Sequence, residues 1–102
     1  MPVFAVTYTY TDDSAGRDEH RPAHRAYLGT FAEKGILLCS GPFAAGEAPG
    51  ALLLIGAESK EEALAVTEDD PFRRLGLVTD VTVREWTPVL GRLAPEMTAP
   101  RA

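Results

Sequence analysis

Three short runs, residues 3–10, 36–40 and 51–55, carry apolar or β-branched side chains at odd and even positions alike. Side chains along a strand alternate between two faces, so a run apolar at both parities needs cover on both sides. In the first run, Phe4, Val6, Tyr8 and Tyr10 share one face, and Val3, Ala5, Thr7 and Thr9 share the other. Its β-branched and aromatic content predicts a strand. Whatever this chain folds into must place at least three such strands side by side and cover both faces of the resulting sheet.

Helical signals lie between the strands. After a polar loop from Thr11 to about Gly16, His20, His24, Leu28 and Phe31 recur at spacings of four and three, with Tyr27 beside them. That stripe predicts a helix reaching Lys34 and stopped by Gly35. Pro22 then belongs in the first turn, where its missing N–H is harmless. The strand at 36–40 is closed by a Gly41-Pro42 turn. A loop containing Gly46, Pro49 and Gly50 leads to the strand at 51–55, which ends at Gly56. Ser59 and Glu62 form a capping box that opens a second helix carrying Ala63, Leu64 and Val66. This helix should end before Asp70, because a residue preceding proline is pushed out of the helical region. One further turn is expected at 72–75, stopped by Gly76. Residues 77–86 predict the last strand, with Leu77, Thr79, Val81 and Val83 on one face and Val78, Asp80, Thr82, Arg84 and Trp86 on the other. From Pro88 the pattern dissolves. The expected domain is 1–88, followed by a flexible tail at 89–102 that holds Pro95 and Pro100 and is mobile at its end. No internal repeat is present.

The order βαββαβ is the split-βαβ arrangement of ferredoxin-like folds: an α+β architecture with a four-stranded antiparallel sheet and two helices on one face. Those helices cover one sheet face, and the chain has no third layer for the other. The expected solution is a homodimer packed sheet to sheet.

Composition narrows the function. Among 102 residues, 10 are Lys or Arg and 15 are Asp or Glu, a formal net charge of −5. A net-acidic chain without a basic run argues against nucleic acid and against a polybasic membrane surface. The longest apolar run, 51–55, is too short to cross a bilayer, and no secretory signal precedes the first strand, so a cytoplasmic location is expected. The single cysteine, Cys39, can form neither an internal disulfide nor a cysteine-based metal site, and is expected to be a small buried apolar residue.

His24 is the most informative residue for chemistry. It shares a helix face with Leu28 and Phe31, so it should point inward or toward a pocket rim, where an imidazole can act as general acid or base near neutral pH. The plainer reading is a partly buried histidine satisfied by a backbone carbonyl. His20 and His24 are spaced i, i+4, but Arg21 stands where a zincin has its glutamate, and a third ligand would have to come from elsewhere, so no metal is expected. Asp70 precedes Pro71 and is a good N-cap for the next turn; alternatively, its carboxylate orients a histidine. Ser40, Gly41 and Pro42 form either a ligand-binding turn or a plain strand ending. Arg21 is either a grip for an anionic group or a solvated arginine. Tyr8, Tyr10 and Trp86 read as packing residues whose rings could also line a pocket. Neither a nucleophile elbow nor a glycine-rich phosphate loop is present.

The stretch Arg21-Pro22-Ala23-His24-Arg25-Ala26-Tyr27-Leu28, then Lys34-Gly35-Ile36-Leu37-Leu38-Cys39-Ser40-Gly41-Pro42, then Asp69-Asp70-Pro71-Phe72 followed by Leu75-Gly76-Leu77, resembles the YciI-like (YCII-related) family in order and spacing. The resemblance spans roughly 3–86. It implies a ferredoxin-like fold forming a dimeric α/β barrel, and a His–Asp pair in a cleft falling on His24 and Asp70. The Ser40-Gly41-Pro42 turn would border that cleft. Family members of known activity are similar to lyases, including one that removes chloride from a chlorinated hydroxyhydroquinone. The implied function is cofactor-free acid–base chemistry, lyase- or isomerase-like, on a small cyclic or phenolic molecule. The alternatives are a small-ligand-binding or accessory module, a purely structural dimerisation module, and a cofactor-free monooxygenase. The proline-containing tail and His20 depart from the family pattern.

Overall fold

The structure, a computed structural model, describes residues 1–98. Its elements are β1 (Val3–Tyr10), α1 (Ser14–Glu33), β2 (Leu37–Pro42), β3 (Gly50–Gly56), α2 (Lys60–Glu68), α3 (Pro71–Arg74), β4 (Val78–Trp86) and α4 (Ala94–Thr98). The four strands form one antiparallel sheet in the order β2-β3-β1-β4. This is the ferredoxin-like α+β arrangement expected from the element order. Phe4, Val6 and Tyr8 of β1 pair with Ile55, Leu53 and Ala51 of β3, and all six are buried. Leu28 of α1 and Ala63 and Val66 of α2 close over this inner face. On the outer face, Ala5 and Thr7 lie opposite Leu54 and Leu52. Leu52 is left 38% exposed there.

Several local readings are corrected. α1 begins eight residues before Pro22, because the Asp13 side chain caps it by accepting the Gly16 N–H at 2.8 Å. Pro22 therefore sits inside the helix, not in its first turn, and gives up one intrahelical hydrogen bond to the Asp18 carbonyl level. His20 lies within the helix, half-exposed, with Nε2 3.5 Å from Glu19. β2 continues through Gly41 and Pro42, which pair with Leu52 and Ala51, so no turn forms there. β2 is an edge strand, where a proline costs no central ladder bond. The chain reverses only after Phe43, whose N–H donates to the Gly50 carbonyl at 2.9 Å. Gly50 is fixed by its neighbour: a Cβ there would lie 2.3 Å from the Tyr8 carbonyl oxygen.

Two irregularities alter which side chains share a face. A bulge between Thr9 and Tyr10 sets Tyr10 opposite Val78, so Val78 joins Val81 and Val83 against the core instead of facing outward. A second irregularity between Leu37 and Cys39 sets Cys39 opposite Leu54 on the outer face, and the thiol is exposed, not buried. The second helix opens as its capping box predicts, with the Ser59 hydroxyl accepting from the Glu62 N–H at 3.1 Å. Glu62, however, reaches back to the Glu58 N–H at 3.3 Å. α4 has no counterpart in the sequence reading; Ala94 is buried while Leu90 is almost fully exposed. The mobile end expected of the tail lies outside the described residues. Among the described residues, no helix is long and apolar enough to cross a membrane.

Candidate active site

Asp70 is the hub of the site, and local sequence explains its conformation. Pro71 forbids Asp70 the helical region, leaving it at φ −58°, ψ 124°. From there its carboxylate turns back to cap α3, with Oδ1 accepting the Phe72 N–H at 3.0 Å. The side chain is sealed from solvent at 0% exposure. The same carboxylate lies against His24 of α1, with Nδ1 2.8 Å from Oδ1 and 3.0 Å from Oδ2. Oδ2 also accepts from the Tyr8 hydroxyl at 2.8 Å. The capping role and the histidine contact, alternatives in the sequence, occur together.

Burial of an ionised carboxylate is expensive unless its oxygens are satisfied. Three donors, from β1, α1 and α3, meet that need here. Because a carboxylate only accepts, the hydrogen bond to His24 places the ring proton on Nδ1 and leaves Nε2 as the basic nitrogen. Nε2 has no partner among the described residues, and no buried side-chain nitrogen or oxygen there lacks one, so Nε2 reaches solvent. The imidazole is 13% exposed. Its plane is fixed by stacking on Phe72, with centroids 3.9 Å apart and planes 4° from parallel. Phe72 in turn meets the Tyr10 ring edge-on at 5.7 Å.

Burial, the Asp70 charge and the hydrogen bond to it all push the Tyr8 hydroxyl well above the ordinary tyrosine range, so it stays a neutral donor. Tyr10 is raised by burial and by Asp70, while Arg17 and Arg21 act in the opposite direction. Arg17 lies over the Tyr10 ring, 4.8 Å from its centroid. A further bond holds the frame: the Tyr27 hydroxyl donates to the Val66 carbonyl, tying α1 to α2.

His24 opens onto a cleft of about 380 Å³ between α1 and the β2–β3 edge of the sheet. Arg21, Ser40, Gly41 and Pro42, named from the sequence, all line it. Asp70 does not; it stands behind His24. Trp86 lies elsewhere, beside the C-terminal segment. Sequence reasoning passed over Arg25, took Tyr8 mainly as a packing residue, and gave Phe72 no role beyond the turn it opens. The signal for Arg25 was its place four residues after Arg21. Nothing in the sequence marks Tyr8 as a partner of Asp70, since a strand tyrosine in a core has the same pattern. Among the described residues, no group of three His, Cys, Asp or Glu side chains is placed to hold a metal ion.

Comparison with known proteins adds three findings. The family model described as the YCII-related domain matches residues 1–87. No curated protein sequence matches significantly. Among solved structures, the chain is similar to 5-chloro-2-hydroxyhydroquinone dehydrochlorinase (TftG) from Burkholderia phenoliruptrix AC1100, determined in complex with 2,5-dihydroxybenzoquinone. The TM-score is 0.69 at 27% identity, covering 82% of this chain and 92% of that one.

Proposed function

Because the chain belongs to the YCII-related family, we propose that it is a small-molecule enzyme that uses His24 and Asp70 for acid–base chemistry of the lyase or isomerase kind. The observation that carries this reading is the orientation of His24: Nδ1 is held by a buried carboxylate while Nε2 reaches solvent beside the cleft. Nε2 takes a proton from a hydroxyl or ring C–H of the substrate. Asp70 fixes the tautomer and stabilises the imidazolium that forms. In an elimination from a phenolic ring, Nε2 moves a hydroxyl proton to the ring carbon that carries the leaving group, giving the keto tautomer with that carbon saturated. Removal of a second hydroxyl proton then drives electrons through the ring, and the leaving group departs with its own pair. In an isomerisation, Nε2 returns the proton at another ring atom. Both steps balance with the substrate's own atoms and require neither an added oxidant nor a metal.

The dehydrochlorinase TftG supports the elimination form. Chloride release from 5-chloro-2-hydroxyhydroquinone is therefore the first assay. The His24→Gln protein, with fold retained, should lose turnover by about 10²-fold or more. Unchanged chloride release in that variant would overturn the reading. A parent protein that binds ring compounds but returns each one unchanged would make the cleft a binding module instead.

The active unit on this reading is a homodimer packed through the outer sheet face. Support comes from Leu52, 38% exposed at its centre, and from Phe43, 44% exposed at its edge. The substrate-contacting residues are Arg21, Ser40, Gly41 and Pro42, which border the cleft.

A further inference from the structure

The chain carries a net charge of −5, yet the charged side chains lining the cleft are Arg21 and Arg25, and no carboxylate lines it. The two arginines stand at i and i+4 on α1, so they form one row along the cleft rim. The row continues to Gly29, where an added Cβ would meet nothing within 4 Å. A glycine inside a helix is unfavourable, and packing does not require this one. Its effect is to keep that end of the cleft open. Arg21 holds Asp18 at 2.7 Å in a surface ion pair of small worth. Arg25 is exposed and has no hydrogen bond or ion pair among the described residues. The Arg21 charge reaches into the cleft, since it acts on the Tyr10 hydroxyl against the pull of burial. Beneath this cationic rim the floor is apolar, formed by Leu28, Leu37, Ala51 and Leu53. Ser40, on the sheet side, has a hydroxyl without a partner among the described residues.

A cationic rim over an apolar floor fits a ligand with one ionised edge and one apolar face. We propose that the cleft selects a monocyclic organic anion, an ionised ring acid or enol, with Arg25 as the principal anion contact and the ring seated on the apolar floor. Arg25 and Arg21 hold the anionic oxygen, Ser40 meets a second oxygen across the cleft, and His24 faces the ring. This rests on the cleft being the active site, but binding tests it independently of turnover.

The experiment is calorimetric titration of the full chain with two acids and their neutral counterparts: 2,5-dihydroxybenzoquinone against its dimethyl ether, and benzoate against benzamide. The pairs separate an enolic anion from a carboxylate as the preferred form. At least one acid should bind 10-fold or more tighter than its neutral partner. That advantage should shrink with added salt, vanish in Arg25→Gln and return in part in Arg25→Lys. Equal affinity for acid and neutral partner, unchanged binding in Arg25→Gln, or no binding of either acid would overturn the proposal. Loss of turnover in His24→Gln with anion binding intact would separate the two readings. Intact turnover in that variant would sink the acid–base reading and leave this one standing.

Discussion

Replacing Asp70 in two ways separates its hydrogen-bonding role from its charge. Asp70→Ala removes the acceptor for three donors at once: the Tyr8 hydroxyl, the Phe72 N–H and His24 Nδ1. With the carboxylate at 0% exposure, water reaches the vacated space poorly. Each stranded buried donor costs about 1–3 kcal/mol, and the lost helix cap falls within the same count. The expected destabilisation is about 3–9 kcal/mol, a large part of the 5–15 kcal/mol that holds a typical domain together. Asp70→Asn keeps the shape and one carbonyl oxygen. That oxygen can still accept from Phe72 and His24, and the Tyr8 hydroxyl can rotate to accept from the new amide. Only charge assistance and one reversed bond are lost, so the cost should be about 1–2 kcal/mol. Urea unfolding of the three proteins, with equal slopes required, measures both values. An alanine variant as stable as the parent, or an asparagine variant as unstable as alanine, would refute the reasoning.

Other predictions draw on different parts of the molecule. Tyr8→Phe leaves one lone pair of Asp70 unmet and should cost about 1–2 kcal/mol by urea unfolding at neutral pH. Because the Tyr8 hydroxyl is raised above its unfolded value, the native state keeps a proton that the unfolded state has released; stability should therefore fall as pH rises above about 10, and less steeply in Tyr8→Phe. A residual slope is expected, since Tyr10 and Tyr27 are also raised by burial. An unchanged slope would contradict the assignment. Gly29→Ala should stabilise the protein by about 0.5–1 kcal/mol, read as a higher unfolding midpoint, because the position has room for a Cβ and a negative φ. Leu52→Lys should convert a dimer of the 11.0 kDa chain to monomer in sedimentation equilibrium; a parent that sediments as monomer would remove the dimer.

What the sequence disclosed follows from how local each cause is. The alternation through 3–10 depends only on neighbouring residues, and β1 is formed as read. The Ser59 cap is equally local. The start of α1 was misplaced because Pro22 resembles a helix opening, while Asp13 achieves the cap through a single side-chain bond in a loop-like sequence. The facing of Val78 and Cys39 turned on one-residue register slips, which a period-two pattern cannot register. The site is split in the same way. The stripe placed His24 inward from local periodicity. Its contact with Asp70 spans 46 positions and that of Tyr8 spans 62, so both depend on how α1 and α3 pack on the sheet. For His24 and Asp70, family resemblance supplied what periodicity could not. For Tyr8 nothing did, because a buried strand hydroxyl looks like core; Arg25 was marked only by its i, i+4 spacing from Arg21, which reads as solvated surface until the cleft is formed.

The central claim is that Asp70 holds the proton on His24 Nδ1 and leaves Nε2 free for chemistry. Its most direct test is ¹⁵N NMR of the imidazole in protein labelled at histidine, at a pH where the ring is neutral. The account predicts that His24 is in the Nδ1–H tautomer, with Nε2 showing the shift of an unprotonated nitrogen, and that Asp70→Ala shifts the balance toward Nε2–H. A parent protein in which His24 is mainly the Nε2–H tautomer, or in which Asp70→Ala changes nothing, would contradict it.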